Sequence, residues 1–110
     1  MKFIQNEVDN GKTIHGYGAS TKGNTLLQFY NLDKNLIPFI ADRNPDKWGR
    51  KTIGTDIKII SEEESHSINP DYYLILPWHF INEFKEREIN FLKNGGKLLL
   101  PLPKFQIIEK

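Results

Sequence analysis

Residues 14–25 read Ile-His-Gly-Tyr-Gly-Ala-Ser-Thr-Lys-Gly-Asn-Thr, and this stretch limits the possible folds more sharply than any other. The opening residues predict a strand over 13–17, and Gly16 and Gly18 predict a sharp turn. Ser20 or Thr21 then caps a helix over 20–31, whose Leu26, Leu27 and Tyr30 share one face. The same geometry holds phosphate groups in many proteins. Glycines let an anion approach the main chain, the helix offers its unpaired first N–H groups, and Lys22 adds a positive charge. The plainer alternative is that the glycines only permit a tight turn. The pattern is not the dinucleotide fingerprint, because Thr21 stands where a third glycine belongs, and it is not a P-loop.

The remaining chain repeats the alternation of strand and helix. Residues 1–11 are mixed and polar and read as an extension or linker, whose closing turn Asp9-Asn10-Gly11 could also end a short helix, with the domain itself over 12–110. A second strand is expected over 36–41 with Pro38 near its start, then a loop over 43–56 with an extended piece near 51–53. A minor strand follows over 57–60. Ser61 then caps a short helix to about residue 67, with Glu62, Glu63 and Glu64 complementing its dipole. Residues 72–76 lack polar alternation, as a strand covered on both faces does. Residues 80–93 read as a helix closed by Gly95 and Gly96, residues 97–100 as a last central strand, and 105–108 could add an edge strand.

Parallel strands need crossovers, so this order predicts a small doubly wound, mostly parallel α/β sheet with helices on both faces, which is a Rossmann-like architecture. Ligands of such sheets lie beyond the carboxyl ends of the strands. Three segments are expected to meet there: the turn over 16–24, Asp42-Arg43-Asn44, and Pro77-Trp78-His79.

With 110 residues, 38% hydrophobic, the chain suits one domain with one continuous core. A formal net charge of +1 gives no field that would draw it to nucleic acid or to a membrane surface. There is no cysteine, and His15, His66 and His79 have no metal-ligand spacing, so no metal site is expected. No stretch approaches the ~20 apolar residues of a membrane span, and a cytoplasmic location is the default.

The candidate binding residues are Gly16, Tyr17, Gly18, Ala19, Ser20, Lys22, Gly23 and Asn24 at the turn, with Asp42, Arg43, Asn44, Pro77, Trp78 and His79 around it. Asp42 could accept hydrogen bonds from ribose or sugar hydroxyls, or simply stabilise its own turn. Arg43 could fork onto a phosphate or stand in solvent. Trp78 could stack on a base or sugar, or cover the core. His79 could hydrogen-bond a ligand or move a proton, and is the one candidate for a catalytic role. His15, inside the first strand, reads as structural, and residues 62–64 and 85–88 read as solvated helix faces.

Four segments taken in order carry a resemblance: Gly-Tyr-Gly-Ala-Ser-Thr-Lys-Gly-Asn-Thr-Leu-Leu at 16–27, Asp-Arg-Asn-Pro-Asp-Lys-Trp-Gly-Arg at 42–50, Asp-Tyr-Tyr-Leu-Ile-Leu-Pro-Trp at 71–78 and Gly-Gly-Lys at 95–97. Over residues 11–108 the chain resembles the C-terminal domain of the S-adenosylmethionine-dependent sugar C-methyltransferases. Those enzymes join a cysteine-rich zinc-binding region, a middle domain that binds S-adenosylmethionine and a Rossmann-like C-terminal domain, and they methylate a carbon of a nucleotide-linked keto-deoxysugar. The resemblance implies that the turn residues hold the nucleotide sugar or close the cleft, with Trp78 and His79 on the same rim. It also implies that this chain binds no cofactor itself, that S-adenosylmethionine belongs to the other domain, and that a methyltransferase catalytic domain is the partner, in cis or in trans. The chain would then be a piece of such an enzyme or a separately encoded fragment, inactive alone. Two other readings stay open. Asp42 to Pro45 with the glycines that follow also resembles the second-strand turn of free-standing NAD-, CoA- or nucleotide-binding regulatory domains, and the chain could equally be a non-catalytic docking domain.

Overall fold

The computed structural model describes residues 2–109. Helix α1 (Lys2–Asp9) leads into strand β1 (Ile14–Tyr17), then helix α2 (Thr21–Phe29) and strand β2 (Phe39–Asp42). A single 3-10 turn, Pro45–Lys47, opens a long loop to strand β3 (Lys58–Ser61) and helix α3 (Glu62–Ile68). Strand β4 (Tyr72–Ile75), a 3-10 turn at Trp78–Phe80, helices α4 (Ile81–Arg87) and α5 (Ile89–Lys93), and strands β5 (Lys97–Leu100) and β6 (Gln106–Ile108) complete the chain.

The six strands form one sheet in the order β3-β2-β1-β4-β5-β6. The first five run parallel and β6 returns antiparallel on the edge of β5. Alternate residues of each strand face opposite sides. Ile14, Ile40, Tyr72, Leu74 and Leu99 pack with Ile4 of α1 and with Leu26 and Leu27 of α2. Tyr17, Ala41, Tyr73, Ile75 and Leu98 pack with Phe84 of α4, with Phe91 and Leu92 of α5 against them. Helix α3 lies on that second face, where its buried Ser65 bonds both His15 and Tyr73. The doubly wound α/β fold follows from the order of short buried strands and amphipathic segments. Among the described residues no helix is long and apolar enough to cross a membrane.

Several boundaries differ from expectation for visible reasons. The stretch set outside the domain forms α1, the short helix its closing turn allowed, and it belongs to the core: Ile4 is fully buried and Phe3 packs edge-on against Tyr72 at 5.6 Å. Strand β2 starts three residues late, because Pro38 has no N–H for the ladder and the amides of Leu36 and Ile37 turn back to the carbonyl of Asp33. The helix expected over 80–93 is interrupted at Glu88 (φ −107°, ψ 26°). Glu88 is only 4% exposed, so the residue read as part of a solvated face instead carries its carboxylate inward.

Candidate functional site

The chain leaves β1 through Gly18 in the left-handed region (φ +83°) and enters α2 under a Ser20 cap, whose hydroxyl accepts from the Gly23 amide at 3.0 Å. Internal packing accounts for the glycines here. A Cβ on Gly16 would come within 2.9 Å of Ile40, on Gly18 within 2.8 Å of Pro77, and on Gly23 within 2.7 Å of Leu76. The first turn of α2 therefore lies close on the end of β4. The amides of Gly18, Ala19 and Gly23 are used inside the chain. Those of Ser20, Thr21 and Lys22 find no acceptor among the described residues, and they form the positive end of the α2 dipole.

Asp42 locks the turn from the neighbouring strand. Its Oδ2 accepts from the Ala19 amide at 2.7 Å and its Oδ1 from the Asn44 amide at 2.8 Å, while its own carbonyl accepts from the Trp48 indole at 2.7 Å. Lys47 Nζ donates to the Ala19 carbonyl at 2.8 Å and lies 3.9 Å from Asp42. Asn44 caps the 3-10 turn. The loop then doubles back, with the Gly49 amide donating to Ile59 and the Ile59 amide to Arg50. Asn24 and Gln28 of α2 both donate to the Ile53 carbonyl, and Thr55 donates to Asn24, so the loop is strapped onto the helix.

Three cavities fan out from Thr21. One of about 380 Å³ lies between the β1 and β4 ends, bordered by Ser20, Lys22, Pro77, Trp78 and His79. This is the point where strand order reverses, since β1 leads to a helix on one face and β4 to a helix on the other. A second, of about 420 Å³, has an apolar floor of Leu27, Ile40 and Ile59 and a rim carrying Lys47, Arg50 and Lys51. The third, also about 420 Å³, is an apolar groove along α2 between Phe29, Tyr30, Trp78 and Leu102. Phe29 is 77% exposed there. Trp78 is half-buried and stacks on His79, with ring centroids 4.9 Å apart.

The turn, Asp42 and the Pro77-Trp78-His79 segment do come together at one edge of the sheet. Not every predicted residue faces the cavities. The Tyr17 side chain projects to the other face, where its hydroxyl donates to Glu88 Oε2 at 2.9 Å and accepts from Arg87. Burial, with the Glu62 and Glu88 carboxylates nearby, holds that phenol protonated well above its usual range. Arg43 points toward α3, 3.9 Å from Glu62. Asn24 does line the second cavity and is also bonded to the loop. Sequence reasoning missed Lys47, Arg50 and Lys51: their charges were legible, but only the return of the loop over α2 sets them at the rim. His15 is buried, as its place inside a strand suggested. Its Nδ1 lies 2.6 Å from Ser65 and its Nε2 has no partner among the described residues, and burial lowers its pKa to about 4.

Comparison with known proteins agrees with this architecture. The family described as the C-methyltransferase C-terminal domain matches residues 1–103. A C-methyltransferase, NovU of Streptomyces niveus, is 38% identical over 108 residues, covering 98% of this chain. The match takes in 26% of that relative, so the chain spans about a quarter of its length.

Proposed function

The chain belongs to the C-methyltransferase C-terminal domain family, and on that premise we propose that it is the nucleotide-sugar-binding module of an S-adenosylmethionine-dependent sugar C-methyltransferase. It grips the diphosphate of a nucleotide-linked keto-deoxysugar and is inactive without a catalytic domain. The observation that carries this reading is the row of unpartnered amides at Ser20, Thr21 and Lys22, set between a cavity edged by Lys22 and one edged by Lys47 and Arg50. A helix N-terminus with ammonium and guanidinium groups beside it suits a dianion better than any neutral ligand.

Trp78 offers a ring on which a sugar or base can lie, and His79 hydrogen-bonds beside it. Methylation next to a ketone needs a base, an enolate stabiliser and exclusion of water. This chain contributes grip and orientation, and the partner domain, seated along the apolar groove by Phe29, completes the enclosure. S-adenosylmethionine supplies the methyl group in that partner. The residues here fit it poorly, because Asp42, the carboxylate that would take an adenosyl ribose, lines none of the three cavities and is turned to the Ala19 and Asn44 amides. The same engagement weighs against a dinucleotide-sensing domain, which would assign Asp42 to a ribose.

Calorimetric titration of the chain with dTDP, a dTDP-sugar, NAD and S-adenosylmethionine tests the proposal. dTDP and the dTDP-sugar are expected to bind, and tight binding of NAD or S-adenosylmethionine without them would overturn it. Lys22→Ala is expected to weaken dTDP by on the order of tenfold while leaving thymidine nearly unchanged. Equal loss for both would remove Lys22 from the phosphates.

A further inference from the structure

We propose that Lys47 is a positioning residue for the ligand site: it grips the Ala19 carbonyl and thereby aims the Ser20 amide outward, where a phosphate can take it. The proposal rests on the diphosphate reading given above.

The coupling runs through one peptide unit. Lys47 Nζ donates to the Ala19 carbonyl at 2.8 Å. The bond between Ala19 and Ser20 is planar and trans, so the Ala19 carbonyl and the Ser20 N–H point in opposite directions from a single rigid plate. Whatever holds the carbonyl therefore aims the amide. Ser20 is exposed and its N–H finds no acceptor among the described residues, so the free end of the plate is the one turned away from Lys47. The N–H of Ala19 is held as well, since Asp42 Oδ2 accepts it at 2.7 Å and the ammonium lies 3.9 Å from that same oxygen. Side chains from the end of β2 and the turn behind it thus fix both polar groups of Ala19.

The segment that delivers Lys47 is itself anchored. The Asn44 side chain accepts from the Asp46 amide at 3.0 Å, and the Lys47 amide donates to the Asn44 carbonyl at 3.0 Å. The Trp48 indole and the Gly49 amide then tie the next two residues to the carbonyls of Asp42 and Ile59. Without the Lys47 bond the plate can turn, which brings a partly negative oxygen toward an anion and takes a donor away from it. Arg50 supplies the contrast. It edges the same cavity of about 420 Å³, but the Ala19 carbonyl has Lys47, not Arg50, as its donor.

Lys47→Met keeps most of the stem and removes the donor. Lys47→Gln, whose amide stands one bond short of the lysine nitrogen, serves if Lys47→Met does not fold. In the ligand-free chain, the Ala19 carbonyl-carbon and Ser20 amide-nitrogen resonances are expected to move in Lys47→Met and to stay in place in Arg50→Met. An unmoved Ala19 carbonyl resonance in a folded Lys47 variant would overturn the proposal. Calorimetry with dTDP is expected to show a several-fold loss of affinity in Lys47→Met. At saturating dTDP the Ser20 amide should shift in the wild type and in Arg50→Met, and much less in Lys47→Met. A full Ser20 shift in Lys47→Met would mean that Lys47 acts on the ligand by charge alone, and an unchanged affinity would mean that the direction of the plate does not matter; either overturns the positioning role. If the ligand-free resonances differ while dTDP binds none of the three proteins, Lys47 still sets the peptide and the diphosphate reading fails.

Discussion

Gly18 sits at φ +83° with Pro77 packed where a side chain would begin, so two separate costs attach to any substitution there. A Cβ in the left-handed region costs roughly 1–2 kcal/mol by itself, and the contact with Pro77 adds to it. Gly11 has nearly the same φ, +86°, with nothing within 4 Å. Gly11→Ala therefore measures the backbone strain alone, and Gly18→Ala is expected to destabilise by a further 1 kcal/mol or roughly that, read from urea midpoints. Equal losses would mean that the turn can move away from Pro77. Asp42 shows the same economy at one residue, holding Ala19 and Asn44 at once and so joining two strand ends. What looked in the sequence like a choice between a turn-former and a ligand group is, in the fold, a turn-former that lines none of the three cavities around Thr21.

At the scale of elements, α1 is the clearest instance of packing deciding what propensity leaves open. Eight residues are too short to be a stable helix in water. The helix exists because Ile4 is fully buried against the sheet and Phe3 rests on Tyr72 and Phe105, with the Tyr72 hydroxyl bonded to Glu7. Ile4→Ala should cost about 2–5 kcal/mol in urea unfolding, as removal of a core side chain does, and a loss under about 0.5 kcal/mol would show α1 to be an appendage. Helix α2 is held differently. It is capped by Ser20, pressed on β4 at Gly23, and strapped to the 49–57 loop by Asn24 and Gln28. That strap sets Arg50 and Lys51 around the same cavity as Ser20 and Thr21, and so the loop forms a wall of that cavity.

For the molecule as a whole, the two faces of the sheet differ in chemistry. One packs mostly aliphatic side chains around Tyr72 and borders the three cavities that meet at Thr21. The other buries His15, Tyr17, Tyr73 and Glu88 in hydrogen bonds, with burial pushing the Tyr73 phenol up to about 12. His15 makes the fold sensitive to acid. Its pKa is about 4 in the folded protein against 6.5 for a free imidazole, so the unfolded chain takes up the proton first as pH falls. The stability it confers is complete above about pH 6.5 and is lost progressively down to about pH 4. At about 1.4 kcal/mol per tenfold the loss is on the order of 3 kcal/mol. Urea unfolding of the wild type and His15→Gln across that range checks it: the variant should lose less stability on acidification, and parallel curves would show that His15 is protonated without penalty.

The order of elements, the parallel sheet and the meeting of three loops at one edge were all legible in the sequence, because they follow from local periodicity, caps and turn residues. Ser20 and Ser61 could be read as caps from a few neighbouring letters. The part played by Glu88 could not, since a glutamate among charges on a helix looks solvated until its partners, Tyr17 and His66, are brought in from 71 and 22 residues away. The same holds for Lys47, Arg50 and Lys51, whose charges are plain but whose position depends on a loop folding back over α2. Sequence sets what each segment does with its neighbours in the chain; which buried groups bond one another, and which cations edge a cavity, is decided only when distant segments pack, because those energies exist nowhere in the unfolded chain.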